Sequence, residues 1–557
     1  MNENIRKRSG LNIMGRLIGL LKPLLPQMLF AITLGILGHL CAIGITVFGS
    51  MGILGAAGLD HGMKLGIAIA LVLFTGLLRG TFHCFEQYNN HLIAFKLLAV
   101  IRDHVFKALR RLSPAKMEGK DKGDLIAILT SDIELLEVFY AHTISPIAIA
   151  VVCSLVMVFF IATCSWIQAL IALCAYLVVG LILPMIMSKF ANKPGMEFRN
   201  KSGKLSGYVL ESMRGLLETL RYDDAQSRED SMMQQTEDLN GVQGGLKKVE
   251  GHNASLADGV ILFFDILMLV VSIVLYANGS IGFGAMLVGT VAMMSSFGPV
   301  AALSNLATGL TMTLAAGERV LDILDETPVV EDNVDGAEVA FDGMTAEHIG
   351  FAYKEGETIL DDFNMTVEPG SIVSVTGPSG SGKSTALKLM MRFWNVQKGE
   401  MKMSGININD IKTTSLRQNQ ALVSQETQLF NDTIENNIKI ADFNATREQV
   451  EEAAKKASIH DFIMTLPQGY DSVVGELGDL LSDGEKQRIG LARAFLADAP
   501  MILLDEPTSN LDSLNEGIIL RSLEQYRKDK SIVLVSHRKS TSAIADKAYT
   551  VYNGRLS

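Results

Sequence analysis

The chain has 557 residues, 49 Lys and Arg against 60 Asp and Glu for a net charge of −11, and 48% hydrophobic residues. That length predicts two or more domains, the mean hydropathy of +0.27 is high for a soluble protein, and the acidic balance without a basic-aromatic stripe argues against a nucleic-acid partner. The five cysteines, Cys41, Cys84, Cys153, Cys164 and Cys174, form no C-x-x-C pair, which points away from a zinc site or a disulfide framework.

At the start, Arg6-Lys7-Arg8 is followed by no short apolar core with a small-residue cleavage site. It reads as a cytoplasmic tail ahead of an uncleaved membrane helix. Six apolar stretches then approach or exceed the length needed to span a bilayer, at 24–50, 63–85, 143–163, 166–188, 257–277 and 281–303. The turns Thr163-Cys-Ser165 and Ala277-Asn-Gly-Ser280 carry no Lys or Arg, whereas 86–142 and 189–256 are long and basic. The positive-inside bias puts both long segments and both termini of this multi-pass chain in the cytoplasm.

Apolar residues recur at helical spacing from Leu92 through Phe95, Leu98, Ile101, Val105 and Leu109 to Leu112, so the membrane helices are predicted to continue into the cytosol. Ser113-Pro114 and Lys193-Pro194-Gly195 are expected to mark turns. Asp265 sits inside an otherwise apolar span, where an ionisable group is expensive unless it faces a cavity or a partner. Arg79 and His39, also in apolar spans, are its candidate partners, and Asp258 shares its helix face.

Hydrophobicity falls after Gly317-Glu-Arg-Val, and Glu326-Thr-Pro-Val-Val-Glu opens a polar linker. The expected division is a membrane domain at 1–325, a linker at 326–340 and a nucleotide-binding domain at 341–557, where short strands alternate with helices as in a doubly covered parallel sheet. Within it, Gly377-Pro378-Ser379-Gly380-Ser381-Gly382-Lys383-Ser384-Thr385 follows a strand-like run and opens a helix. In that context the spacing G-x-x-x-x-G-K-[ST] means a phosphate cradle of backbone amides at a helix N-terminus. Lys383 would reach the β/γ-phosphates, and Ser384 would ligate Mg²⁺.

Further on, Met501-Ile-Leu-Leu-Asp505-Glu506 is a buried strand ending in two carboxylates. Asp505 would hold Mg²⁺ and Glu506 would act as general base on the attacking water. Gln425 ends one strand and His537 another, while Leu481-Ser482-Asp483-Gly484-Glu485 precedes a helix.

In this order the motifs resemble those of an ATP-binding cassette (ABC) half-transporter of the exporter type, over the whole chain. The resemblance implies six membrane helices followed by an α/β P-loop NTPase domain with antiparallel β and helical subdomains. It also implies Tyr353 as the aromatic that stacks on adenine, Gln425 as the residue that senses Mg²⁺ and the membrane domain, and His537 as the γ-phosphate switch. Ser482 and Gly484 then belong to the signature loop and Asp512 to the loop after the carboxylates. ATP and Mg²⁺ are the implied cofactors. One chain's phosphate loop would face its partner's signature, so a second half-transporter is required.

Two signature positions depart from the family, Asp483 for glycine and Glu485 for glutamine. A carboxylate near a γ-phosphate is repulsive, which predicts one weakened site and favours a heterodimer. A narrower resemblance, carried by Ile43-Gly44-Ile45, Arg79, Phe85-Glu86, His91, Leu112-Ser113-Pro114-Ala115 and Ile144-Ser145-Pro146, is to the CydC subunit of the CydDC transporter. It implies a thiol- or haem-related substrate, with His91 in contact with a haem, and His83, eight residues earlier on roughly the same helix face, is placed to assist. His83 and Gln87 stand where that family carries arginines. A peptide, lipid or drug exporter is the alternative, and an ATP-dependent membrane sensor is the rival from another class.

Overall fold

Each of the six apolar stretches lies in a helix, and several of those helices run far past the bilayer. The spans are Lys22–Ala56, Leu65–Leu112, Gly123–Cys164, Trp166–Met187, Ala225–Ala277 and Phe283–Leu303, the longest being 53 residues. At 1.5 Å per residue that helix extends about 80 Å, against roughly 30 Å of hydrocarbon. The computed structural model describes residues 8–118, 122–354, 356–508, 513–527, 530–552 and 554–556. They form two units, one of Asn4–Leu109 with Lys120–Glu326, the other of Arg110–Gly119 with Thr327–Ser557.

The first unit is helical: α1 (Gly10–Leu20), α2 (Leu25–Ala56), α3 (Leu65–Leu112), α4 (Lys122–Ala127), α5 (Ile133–Phe139), α6 (Ser145–Cys164), α7 (Trp166–Leu177), α8 (Leu183–Arg214), α9 (Leu216–Arg221), α10 (Ala225–Ala277), α11 (Phe283–Ser296) and α12 (Gly298–Asp325). Ser9 caps α1 by accepting from the Asn12 amide at 3.3 Å. Ile13, Leu17 and Leu21, four apart, bury its inner face. Helices α2 and α3 approach where Gly52 has no side chain, since a Cβ there would lie 2.6 Å from the Ala68 Cβ.

Near Ser113-Pro114 the helix ends as expected, at Leu112. At Lys193-Pro194-Gly195 it does not: α8 runs unbroken from Leu183 to Arg214. A proline costs its helix one hydrogen bond and crowds one carbonyl; neighbouring helices can hold the rod through that loss, as they do in membrane bundles.

Two ion clusters organise the ends of these helices. Asp132, fully buried, receives Arg199 from α8 and Arg319 from α12, whose Nε donates at 2.6 Å. At the last turn of α12, Asp325 accepts from Arg8 at 2.9 Å and from Arg16 Nη2 at 2.7 Å, and the Arg8 backbone amide donates to Glu318 at 3.1 Å.

The second unit carries two sheets built from β1 (Met344–Ala352), β2 (Thr358–Val367), β3 (Ile372–Thr376), β4 (Lys398–Met403), β5 (Ile406–Asn407), β6 (Gln420–Val423), β7 (Met501–Asp505), β8 (Ser531–Val535), β9 (Lys547–Tyr552) and β10 (Arg555–Leu556). A four-stranded antiparallel sheet has the order β2-β1-β4-β5. The six-stranded sheet has the order β10-β9-β3-β8-β7-β6, parallel except at β10. Its central strands are buried on both faces, as the continuous runs Ile-Val-Ser-Val and Met-Ile-Leu-Leu require. Parallel register aligns the carboxyl ends of β6, β7, β8 and β3, with Asp505 and Val375 both opposite Val535, and open α/β sheets bind ligands at that edge.

Candidate functional site

Four strand ends deliver the chemistry to one pocket. It has a volume near 640 Å³ and is lined by Tyr353, Ile359, Gly377, Pro378, Ser379, Gly380, Gly382, Lys383, Ser384, Thr385, Gln425, Glu506 and His537. Gly377, Gly380 and Gly382 have φ of 150°, 79° and 102°, a region that disfavours side chains. A Cβ on Gly382 would also lie 2.7 Å from Leu360 Cδ2. Lys383 is 6% exposed, and its ammonium donates to the Gly377 and Pro378 carbonyls at 3.0 and 2.8 Å. Ser381 Oγ is buried with no hydrogen-bond partner among the described residues. A cradle with an unused donor and a lysine resting on its own loop fits a polyphosphate.

Ser384 Oγ donates to Asp505 Oδ1 at 2.9 Å, so a hydroxyl and a carboxylate converge where a hard cation with oxygen ligands could sit. Burial, then the neighbouring Glu506, push the Asp505 carboxyl above its ordinary range, against the Ser384 hydrogen bond and the charges of Lys388 and Lys383. A bound divalent cation would reverse that balance. Glu506 stands in the left-handed region, φ 49°, its amide donating to the Val535 carbonyl at 2.9 Å. Its carboxylate lies 3.4 Å from Gln425 Nε2 and 3.4 Å from His537 Nδ1. Such strain in a non-glycine residue concentrates at functional sites.

Tyr353 meets Phe351 and Trp394 edge-on at 4.9 and 5.1 Å, and its hydroxyl is 3.2 Å from Thr385 Oγ1. Three contributors were not singled out from sequence. Ile359 lines the pocket. Gln487, buried on the helix Asp483–Ala497, donates to the Glu506 carbonyl at 2.9 Å; a polar residue on the apolar face of that helix was the available signal. Lys388 pairs with Glu118 of the turn after α3 and lies over the Tyr353 ring at 5.9 Å.

Ser482 and Gly484 do not line this pocket. Glu485 is not a free carboxylate: it accepts from the Ser482 amide at 2.8 Å, and Ser482 accepts in return from the Glu485 amide. This capping box satisfies two donors at the start of the helix Asp483–Ala497. Asp483 is exposed and faces Lys486 at 3.6 Å. Asp512 lies outside the described residues.

The membrane-half candidates do not form one cluster. His83 Nδ1 lies 3.3 Å from Glu86, which is buried, and His91 Nδ1 lies 3.4 Å from Glu137, with Phe95 and His142 as ring neighbours. Neither Arg79 nor His39 pairs with Asp265 among the described residues, and Asp265 Oδ1 is buried without a hydrogen-bond partner. Arg79 and His39 belong to α3 and α2, while Asp265 lies on α10, whose helix neighbours are chiefly α8, α11 and α7. Separately, a cavity near 630 Å³ opens between α6, α7 and α12, with Ser154, Leu155, Tyr176, Leu181, Val300 and Leu314 among its almost entirely apolar lining.

Comparison with known proteins agrees with this geometry. Residues 360–509 match the family described as ABC transporter, and residues 28–300 match the ABC transporter transmembrane region. The chain is 46% identical to a "Probable ABC transporter ATP-binding/permease protein" of Haemophilus influenzae, over 99% of this chain and 100% of that one. It is 30% identical to an ATP-dependent lipid A-core flippase from another strain of that species, over 86% and 82%. It is 32% identical to a protein of Staphylococcus aureus named for multidrug export, over 89% and 86%. Among solved structures, a bacterial Atm1-family ABC exporter with ATP bound shares the fold at a TM-score of 0.85 and 22% identity, covering 96% of this chain and 94% of that chain. With a near full-length relative, six apolar spans and a cassette whose phosphate loop meets two strand-end carboxylates, the chain belongs to the ABC transporter family, as an exporter-type half-transporter that couples ATP hydrolysis to transport.

Proposed function

We propose that this half-transporter works as a dimer in a bacterial plasma membrane, with both termini cytoplasmic, a membrane domain to residue 325, a linker at 326–340 and the cassette at 341–557. The observation that carries the catalytic reading is the joint placement of Ser384 with Asp505 and of Gln425 and His537 with Glu506 at one sheet edge. Ser384 and Asp505 would hold a Mg²⁺, with Gln425 lining the same pocket, and when bound it would supply charge neutralisation for the nucleotide's phosphates. Glu506 takes the proton of the attacking water, oriented by Gln425, and His537 holds the γ-phosphate side. Lys383 exchanges its two loop carbonyls for phosphate oxygens. Tyr353 offers its ring to the adenine, while Ser482, Gly484 and Asp512 serve the site across the dimer. The test is ATP turnover in proteoliposomes: Glu506→Gln with full turnover retained would remove the base from Glu506.

Asp483 and Glu485 favour a different half-transporter as partner, because two identical chains would carry two altered signatures. Mass measurement of the complex purified from its native membrane decides between one chain type and two.

The substrate class supported by the membrane cavity is an amphiphile of the peptide, lipid or drug kind, since its lining offers apolar area and few hydrogen-bonding groups. A second reading, the CydC-like one with a thiol or haem ligand, draws on one observation. Glu137 holds one nitrogen of His91 and Phe95 flanks the ring, the arrangement that orients a histidine toward a metal. His83 is engaged with Glu86 instead.

A further inference from the structure

Lys388 follows Ser384 and Thr385 by four and three residues on the helix Lys383–Met390, so the three side chains share one helix face. Each reaches a different part of the nucleotide site. Ser384 donates to Asp505 Oδ1 at 2.9 Å, the Thr385 hydroxyl lies 3.2 Å from that of Tyr353, and the Lys388 ammonium stands over the Tyr353 ring, 5.9 Å from its centroid. Lys388 does not line the nucleotide pocket. It lines a neighbouring cavity near 390 Å³ with Pro114, Met117, Glu118, Leu387 and Asp505, so its charge meets the ring from outside the pocket. Glu118, which belongs to the cassette's unit through Arg110–Gly119, pairs with it there. The two side chains are 32% and 43% exposed, and an ion pair that open adds little stability. Its effect is on where a charge with a long flexible stem comes to rest.

We propose that Lys388, held by Glu118, is a positioning residue for the adenine base. A cation over an aromatic face is drawn to its negative quadrupole, and Phe351 and Trp394 meet the same ring edge-on at 4.9 and 5.1 Å. Together with the Thr385 contact they fix the plane of Tyr353 before nucleotide arrives, which spares the base the cost of ordering it. The phosphates gain nothing from this arrangement. Part of the affinity for ATP is therefore set by a carboxylate on the turn after α3, far from the phosphate loop in sequence. This role rests on Tyr353 being the adenine platform, as proposed above.

Mg-ATP and Mg-tripolyphosphate, which lacks a base, are compared by equilibrium binding to the full-length protein in nanodiscs. Lys388→Ala should weaken ATP about two- to fivefold and leave tripolyphosphate unchanged, while Lys388→Arg should keep most of the ATP affinity. Glu118→Ala should weaken ATP in the same direction, with little added loss when it is combined with Lys388→Ala. In a Tyr353→Leu background Lys388→Ala should have no further effect. ATP affinity unchanged by Lys388→Ala, or an equal loss for ATP and tripolyphosphate, overturns the assignment, and leaves the platform standing where Tyr353→Leu still weakens ATP. ATP affinity unchanged by Tyr353→Leu removes the platform itself, and the role of Lys388 with it. Should Lys388→Ala fail to fold, Glu118→Gln carries the same comparison, and equal ATP affinity in wild type and that variant overturns the assignment.

Discussion

His537 Nδ1 stands 3.4 Å from Glu506 Oε1, at the ends of the neighbouring parallel strands β8 and β7. The contact joins the carboxylate that follows one strand to the imidazole that follows the next. Glu506→Gln should leave ATP binding intact and lower turnover at this chain's site by about 10²–10⁴-fold. His537→Ala should lower turnover through the same carboxylate, with nucleotide affinity changed far less. Single-turnover hydrolysis beside equilibrium ATP binding separates the two quantities.

Asp505 gives a prediction with a defined sign. Burial raises its carboxyl above the ordinary range, so the folded state binds that proton more tightly than the unfolded state. The nucleotide-free cassette gains stability from this group as pH falls into the window above the ordinary carboxylate range and loses it as pH rises through the raised value. Asp505→Asn should therefore raise the apo melting temperature at neutral pH, and the gain should shrink toward zero in acid. The same variant should weaken Mg²⁺-dependent nucleotide binding by about 10–100-fold. Thermal melts at several pH values, with and without Mg-ATP, check both halves.

The signature departs from its family, yet Glu485 closes a capping box with Ser482. Glu485→Ala should destabilise the cassette by about 0.5–1 kcal/mol, because the acceptor for the Ser482 amide is lost while the Ser482 hydroxyl still caps the helix. Glu485→Gln keeps the cap and removes a charge, so stability should hold. Combined with Asp483→Gly it should raise ATP turnover of the assembled transporter. Denaturant melts and ATPase assays on the three variants distinguish capping from charge.

For the CydC-like reading, haemin titrated into the purified protein should give a saturable Soret shift that His91→Ala abolishes. A wild-type spectrum that never saturates removes haem from His91 and leaves that ring as a partner of Glu137.

Much of the cassette could be read directly because its signals are contiguous. The phosphate loop lies between a strand that begins at Ile372 and a helix that ends at Met390, and the pocket uses eight of the nine residues from Gly377 to Thr385. The capping box is also local, since Ser482-Asp-Gly-Glu485 has the spacing of an N-cap serine and an N3 glutamate. Other features depend on contacts between distant segments. Nothing local tells that Pro194 is carried inside α8, because the usual cost of a proline in a helix argues for a break there. The partners proposed for Asp265 failed for a similar reason: depth in the membrane follows from chain position, but which helix faces which follows from packing. The cavity between α6, α7 and α12 needs three helices in place before it exists.

Arg8 and Arg16 both hold Asp325, the residue that ends α12. The beginning of the polypeptide is thereby fastened to the point where the chain leaves one unit for the other, two residues before Thr327. A fluorescent probe attached near Arg8 would report on the surroundings of the end of α12, far from its own place in the sequence. A bulky purification handle fused there would load the same contact, and proteolytic clipping between the two arginines would leave Asp325 with a single tether.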